Sequence, residues 1–148
     1  MSHASSRDLL PLLVILESIG KIEIYTGDFT EAGQFFRNND QVHFNATLLL
    51  LINIGEHANR LSEGLRNKYT QVPFQQIRGL RNRVAHDYTG IDYEMVFHIA
   101  KENLPVVRHD MISLLQTEFR IGIFDTKELE AARNSDFYRH VDFTAFAP

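Results

Sequence analysis

Cysteine and tryptophan are both absent from the 148 residues. Without cysteine there is no disulfide framework, no thiolate nucleophile and no zinc site built on sulfur. Such usage fits a reducing cytoplasm. Strand signals are nearly missing as well, and no glycine-rich phosphate loop is present. Long hydrophobic runs are scarce. The N-terminal run "LLPLLVIL", Leu9 to Leu16, lacks a basic leader and a small-residue cleavage site. It is too short to span a bilayer, so it reads as the first turns of a core helix and no membrane partner is expected. Positive charge is not in excess either. The formal net charge is -4, so any anion binding must come from a local patch.

What is present is helical spacing. The length predicts one domain, and 44% hydrophobic residues supply an ordinary core. A first helix carries Leu9, Leu12, Leu13, Leu16, Ile19 and Ile22 at i, i+3, i+4 intervals, capped by Ser6 or Asp8 and ending near Tyr25–Gly27. A short second one runs from Phe29 to Asn38 behind Asp28 or Thr30, closed by the turn residues "NND". The third, Gln41 to Tyr69, is the longest. Its middle, "ATLLLLINIG", is apolar over more than one face, which predicts a central helix contacted on several sides. Val72–Pro73 stops it, and a fourth helix runs from Pro73 to about His86. Asp92 caps a fifth, whose apolar face includes Val96, Ile99, Leu104, Val107, Met111, Leu114 and Leu115, with a kink or break expected at Pro105. Behind Asp125, "TKELEAARN" predicts a short helix, and the aromatic end "FYRHVDFTAFAP" is too apolar for a free tail and is expected to dock. The fold class is all-α: an up-and-down bundle of four to five main helices over residues 1–118, with a C-terminal extension, 119–148, packed on the bundle or on a partner.

Metal chemistry finds little support. The seven histidines include no His-x-x-x-His pair. Glu94 and His98, four apart, share a helix face, whereas the adjacent Glu56 and His57 do not. No metal and no cofactor is expected. A Ser–His–Asp set would have to be assembled from unrelated places.

The best remaining cluster is "GLRNRVAHDYTG", Gly79 to Gly90, with Arg78 just before it. Arg78, Arg81, Arg83 and His86 concentrate cationic and titratable groups in an acidic chain. Arginine grips phosphate oxygens through a planar fork, and histidine exchanges a proton near neutral pH. Together they form a minimal kit for cleaving RNA without a metal: a base for the 2′-OH, an acid for the leaving oxygen and a cation for the charged phosphorane. At 100° per residue Arg81 and His86 stand about 140° apart. Either the helix bends near His86, or Arg81 reaches around, or two copies of the motif meet across a two-fold axis, which would also provide a second histidine. The plainer reading is that Arg and His near a helix end compensate its dipole and that Asp87 bridges Arg83 at the surface.

"RNRVAHDY" fits the pattern Arg-x4-His-x-Tyr and resembles the HEPN superfamily, within it the HepT-like toxin ribonucleases. The likeness extends through "LESIGKIEIYT" and through "NIGEHANRLSEGLRNKYTQVPFQQIRGLRNRVAHDYTGIDYEMVFHIAKENLP", covering about residues 10 to 115. It implies an all-helical homodimer acting as a metal-independent endoribonuclease on RNA, with the arginine and histidine of both subunits in one interfacial cleft. Arg81 and His86 would be the catalytic pair, Asn82, Arg78 and Arg83 would position substrate, and a cognate minimal nucleotidyltransferase antitoxin would be the partner. Tyr88 would accept AMP from that partner, placing bulk and negative charge beside His86. Glu56, Asn59 and Glu63 lie three and four apart on the long helix. Glu56 either orients Arg81 or His86 from behind or faces solvent. Two other readings stand beside the enzyme: a non-catalytic dimeric HEPN module that presents nucleotide or substrate to a nucleotidyltransferase, and a purely structural bundle.

Overall fold

The computed structural model describes residues 6–85 and 90–148. Among them there is no strand, and no helix is long and apolar enough to cross a membrane. Three 18-residue helices set the frame: α1 (Leu9–Thr26), α3 (Val42–Asn59) and α8 (Leu104–Ile121). The most enclosed element is α1, although the third segment, as its apolar run suggests, is met by several neighbours. With Glu17 and Ser18, which are also buried, the buried apolar side chains of Leu12, Leu13, Ile15, Leu16 and Ile19 take up about 260° of the helix wheel. Each such side chain contributes about 1.5–3 kcal/mol on burial. Helices α3 and α8 pack along α1. By contrast α3 buries one face only, through Phe44, Thr47, Leu51, Ile54 and Ala58, and its Leu49 stays 67% exposed.

The short elements between them are shaped by local polar bonds. Helix α2 (Ala32–Arg37) starts three residues later than its spacing suggests, with Glu31 rather than Asp28 or Thr30 before it. It ends where Asn39, Asp40 and Gln41 all take positive φ, a conformation that Asn and Asp tolerate. Phe35, Phe36, Phe44, Tyr93 and Phe97 gather at this end of the bundle, with Phe36 stacked on Tyr93 at 4.7 Å. Helix α7 (Tyr93–His98) is capped by Asp92, whose Oδ1 accepts the N–H groups of Glu94 and Met95. A π turn, Ile99–Asn103, joins it to α8. Pro105, one residue further on than Leu104, has no N–H to donate to the preceding turn, so the irregularity falls where the proline predicts it.

Two expected helices are broken. The segment 41–69 divides at Arg60–Ser62, and α4 (Glu63–Lys68) begins afresh with the Ser62 hydroxyl accepting the Leu65 N–H. Asp8 explains the break. Its carboxylate is buried and does not cap α1; it accepts the Ser62 N–H at 2.7 Å and the Ser62 hydroxyl at 2.6 Å. The segment from Pro73 divides at Gly79 into α5 (Phe74–Arg78) and α6 (Leu80–Ala85). Glycine is a poor helix former, and its ψ of -7° tightens the junction.

The chain beyond α8 docks on the frame. Gly122 closes α8 in the left-handed region, with φ of 87°. Helix α9 (Thr126–Arg133) follows behind Asp125, which accepts the Lys127 N–H. The end then returns to α1, where buried Glu17 accepts the backbone N–H of His140 and lies 2.7 Å from its Nδ1. Gly20 makes room: a Cβ there would stand 2.7 Å from the His140 carbonyl oxygen. Phe146 stacks on Phe119, and Gln116 donates to the Ala145 carbonyl.

A third buried carboxylate ties α4 to α8. Glu118 is fully buried, and its Oε1 accepts the Tyr69 hydroxyl at 2.6 Å and meets the Lys68 ammonium at 2.9 Å. Burial first, then the bond and the charge of Glu118, push the Tyr69 phenol well above its ordinary value. At pH below about 10 the phenol is protonated in both folded and unfolded chains. Above it the unfolded chain ionises while the folded one resists, so stability is lost as pH rises. Tyr69→Phe should therefore lose urea stability less steeply than the wild type above about pH 10. Tyr138, also pushed up by burial and by Glu128 and Glu17, contributes to the slope that remains. Parallel pH slopes for the two proteins would refute this role of Tyr69.

Candidate functional site

The arginine-rich segment is carried by α5 and α6, which cross α3 at close range. Gly55 of α3 sets that range. A Cβ at this position would come 3.1 Å from the Arg81 backbone nitrogen and 3.2 Å from the Ile77 carbonyl oxygen. No larger residue lets the two backbones approach so nearly. Two polar rungs flank the contact. Arg81 Nε lies 3.4 Å from Glu56 Oε1, and Arg78 Nε donates to Asn59 Oδ1 at 2.7 Å. As residue numbers rise along α3 they fall along α5–α6, so the helices run antiparallel here.

The rungs divide the sequence cluster. Arg78 and Arg81 are drawn to the α3 side, although both remain exposed. Arg83 follows Arg81 by two residues, about 200° around the helix. It lines a cleft of about 310 Å³ on the opposite side of α6, between α5–α6 and the start of α8. Asn82 is exposed between the two arginines. Glu56 thus lies against Arg81 and is itself half-exposed. Glu63 does not join Glu56 and Asn59 on one face, because the break at Ser62 places it on α4. His86 and Tyr88, the expected proton-transfer and modification residues, lie outside the described residues.

Electrostatically the site is an open cationic ridge. The Glu56–Arg81 contact runs through Nε and is solvent-accessible, with Arg81 59% and Glu56 42% exposed. A pair of this kind contributes little to stability. It restrains the guanidinium while leaving it accessible to an anion that binds through a fork of two N–H groups. Asn59, Gln76 and Asn103 are the polar residues that sequence reasoning left out of the site. Asn59 was legible in part, since it lies one turn from Glu56. Gln76 and Asn103 are 27 positions apart in the chain and meet only because α5 and the π turn line one cleft.

These contacts differ in weight, and substitution separates them. Gly55→Ala should cost about 1–3 kcal/mol in urea unfolding, because the added methyl meets the backbone of both α5 and α6. Glu56→Gln should change the same measurement by less than about 0.5 kcal/mol. The reverse order would mean that the ion pair, not the backbone approach, holds α6 in place.

Comparison with known proteins bears on this arrangement. The family model for "Ribonuclease HepT-like" matches residues 15–114, which include the Gly55 contact and the arginine segment. The chain is 33% identical over 108 residues to "Putative RNase MJ1380" of Methanocaldococcus jannaschii, covering 72% of this chain and 96% of that protein. It is 35% identical over 91 residues to "Putative RNase MJ0127" of the same organism, covering 62% and 73%. "Putative RNase TTE0752" of Caldanaerobacter subterraneus is 29% identical over 65 residues, covering 44% and 58%. No solved structure matches. With the model spanning the bundle from α1 to α8, the chain belongs to the HepT-like ribonuclease family.

Proposed function

We propose that the protein is a metal-independent endoribonuclease that acts as the toxin of a toxin–antitoxin pair. The observation that carries this reading is the placement of Arg81: exposed on α6, restrained by Glu56, and five residues before His86 within a HepT-like chain. In the reaction, one His86 removes the proton of the 2′-OH, whose oxygen attacks the adjacent phosphorus. Arg81 stabilises the extra negative charge on the phosphorane. A second His86 protonates the departing 5′-oxygen, leaving a 2′,3′-cyclic phosphate and a 5′-hydroxyl end.

Two histidines require two subunits, and α3 supports a homodimer. Val42, Asn45, Leu49, Ile52 and Glu56 recur at intervals of three and four along its outer side. Val42 is 54% and Leu49 67% exposed. The stripe leads to the Glu56–Arg81 rung, so pairing through it would bring two Arg81 side chains towards one cleft. The partner is a minimal nucleotidyltransferase antitoxin, which silences the site by transferring AMP to Tyr88. The added phosphate would compete for the arginines and repel RNA.

Arg81→Ala and His86→Ala should each lower RNA cleavage by about 10²–10⁴-fold with unchanged helical content, and EDTA should leave the wild-type rate intact. Wild-type protein, free of modification, that leaves RNA whole would sink the enzyme reading. Leu49→Asp should yield a monomer in sedimentation and lose cleavage with it; a fully active monomer would remove the dimer from the mechanism. Intact mass after co-expression with the nucleotidyltransferase should rise by whole AMP units, and the rise should vanish in Tyr88→Phe. An unchanged mass would exclude this form of silencing.

A further inference from the structure

The cleft on the far side of α6 has no part in the chemistry so far described. We propose that it is a base-specificity pocket, which takes one unstacked nucleobase of single-stranded RNA while Arg83 holds that nucleotide's phosphate; this rests on the RNA-cleavage reading above.

Size, lining and position all favour that occupant. A volume of about 310 Å³ is at the lower end for small-molecule sites, which suits a single flat ring system and is too small for a helix or a duplex. The walls are aliphatic, with buried Leu80 and Val107 among them, and offer apolar surface against which a base can lie. The polar groups are Gln76, Asn103 and Arg83, all exposed. A carboxamide presents a donor and an acceptor side by side, the pattern that pairs with the edge of a base. Arg83 brings a positive charge to this opening in a chain of net charge -4. A hydrophobic side chain from a protein partner would leave these three groups unused.

The geometry of α6 links this pocket to the cleavage site. Arg81 and Arg83 stand on opposite sides of the helix, with Asn82 exposed between them. A strand crossing α6 over Asn82 would set neighbouring phosphates at the two arginines and turn the intervening base towards the cleft. Only a single strand with splayed bases bends in this way, as sequence-specific RNA recognition commonly requires. The π turn belongs to the same feature: its two ends, Ile99 and Asn103, both line the cleft. Such turns interrupt a regular helix and recur at functional sites.

The test uses the full chain with His86→Ala, so that RNA stays intact, and four single-stranded hexamers that differ in base: oligo-A, oligo-C, oligo-U and a guanine-containing mixed hexamer. Fluorescence anisotropy should show about ten-fold or greater preference for one of them, the size expected of a good base contact. Val106→Trp puts a large ring at the mouth of the cleft from a position that is 57% exposed, so folding should survive. In that background the four affinities should converge to within about two-fold, and Asn103→Ala should narrow the preference at least about three-fold. Equal affinities before substitution, or a preference that persists in Val106→Trp, would overturn the pocket. A wild-type chain that fails to cleave RNA would instead sink the enzyme reading and leave the binding result standing. Cleavage without base preference would sink the pocket alone.

Discussion

The distance between α3 and the pair α5–α6 decides where the arginine segment stands, and it is set by the missing side chain at Gly55. Because backbone meets backbone there, Glu56 and Asn59 reach Arg81 and Arg78 without long extension. The rungs do not create the approach; exposed pairs of this kind are too weak. They exploit it, drawing the guanidinium groups towards the α3 side. The other side of α6 is then free to face α8, and Arg83 falls to a different environment from Arg81 although the two are nearly adjacent in sequence.

Around that contact the short elements are held by buried carboxylates. Asp8 grips Ser62 at the start of α4, Glu118 grips Tyr69 and Lys68 at its end, and Glu17 grips His140 in the C-terminal segment. A buried carboxylate costs several kcal/mol unless it is bonded, so each one commits a particular remote residue to a particular place. Helix α4 is thus bracketed at both ends, which fixes where the chain enters Pro73 and hence where α5 and α6 begin. Ordinary apolar packing, tolerant of sliding, would not specify these junctions so closely.

Much of the fold was legible because helices announce themselves through spacing and caps. The Asp92 and Asp125 caps, the turn after α2 and the irregularity at Pro105 follow from local chemistry, and the apolar composition of the aromatic end announces that it docks, though not where. The breaks at Ser62 and Gly79 did not. Ser62 is an ordinary helix-surface residue until Asp8, 54 positions away, competes for its N–H and hydroxyl. The apolar width of α3 has two sources: several neighbours meet the helix, and its exposed Val42 and Leu49 look, in one dimension, the same as residues inside a core.

The sequence by itself determined the helical class, the acidic balance that makes a local arginine cluster conspicuous, and the Arg-x4-His-x-Tyr pattern with its family. Those properties depend on residue types at short separations, which the chain displays directly. Only the tertiary structure decided that the arginines divide between two faces of α6, that Glu56 lies against Arg81 while Glu63 falls on another helix, and that Gln76 and Asn103 share a cleft. Each of these turns on where one helix lies against another, and that is settled by contacts between distant positions such as Gly55 with Ile77 and Arg81, or Asp8 with Ser62.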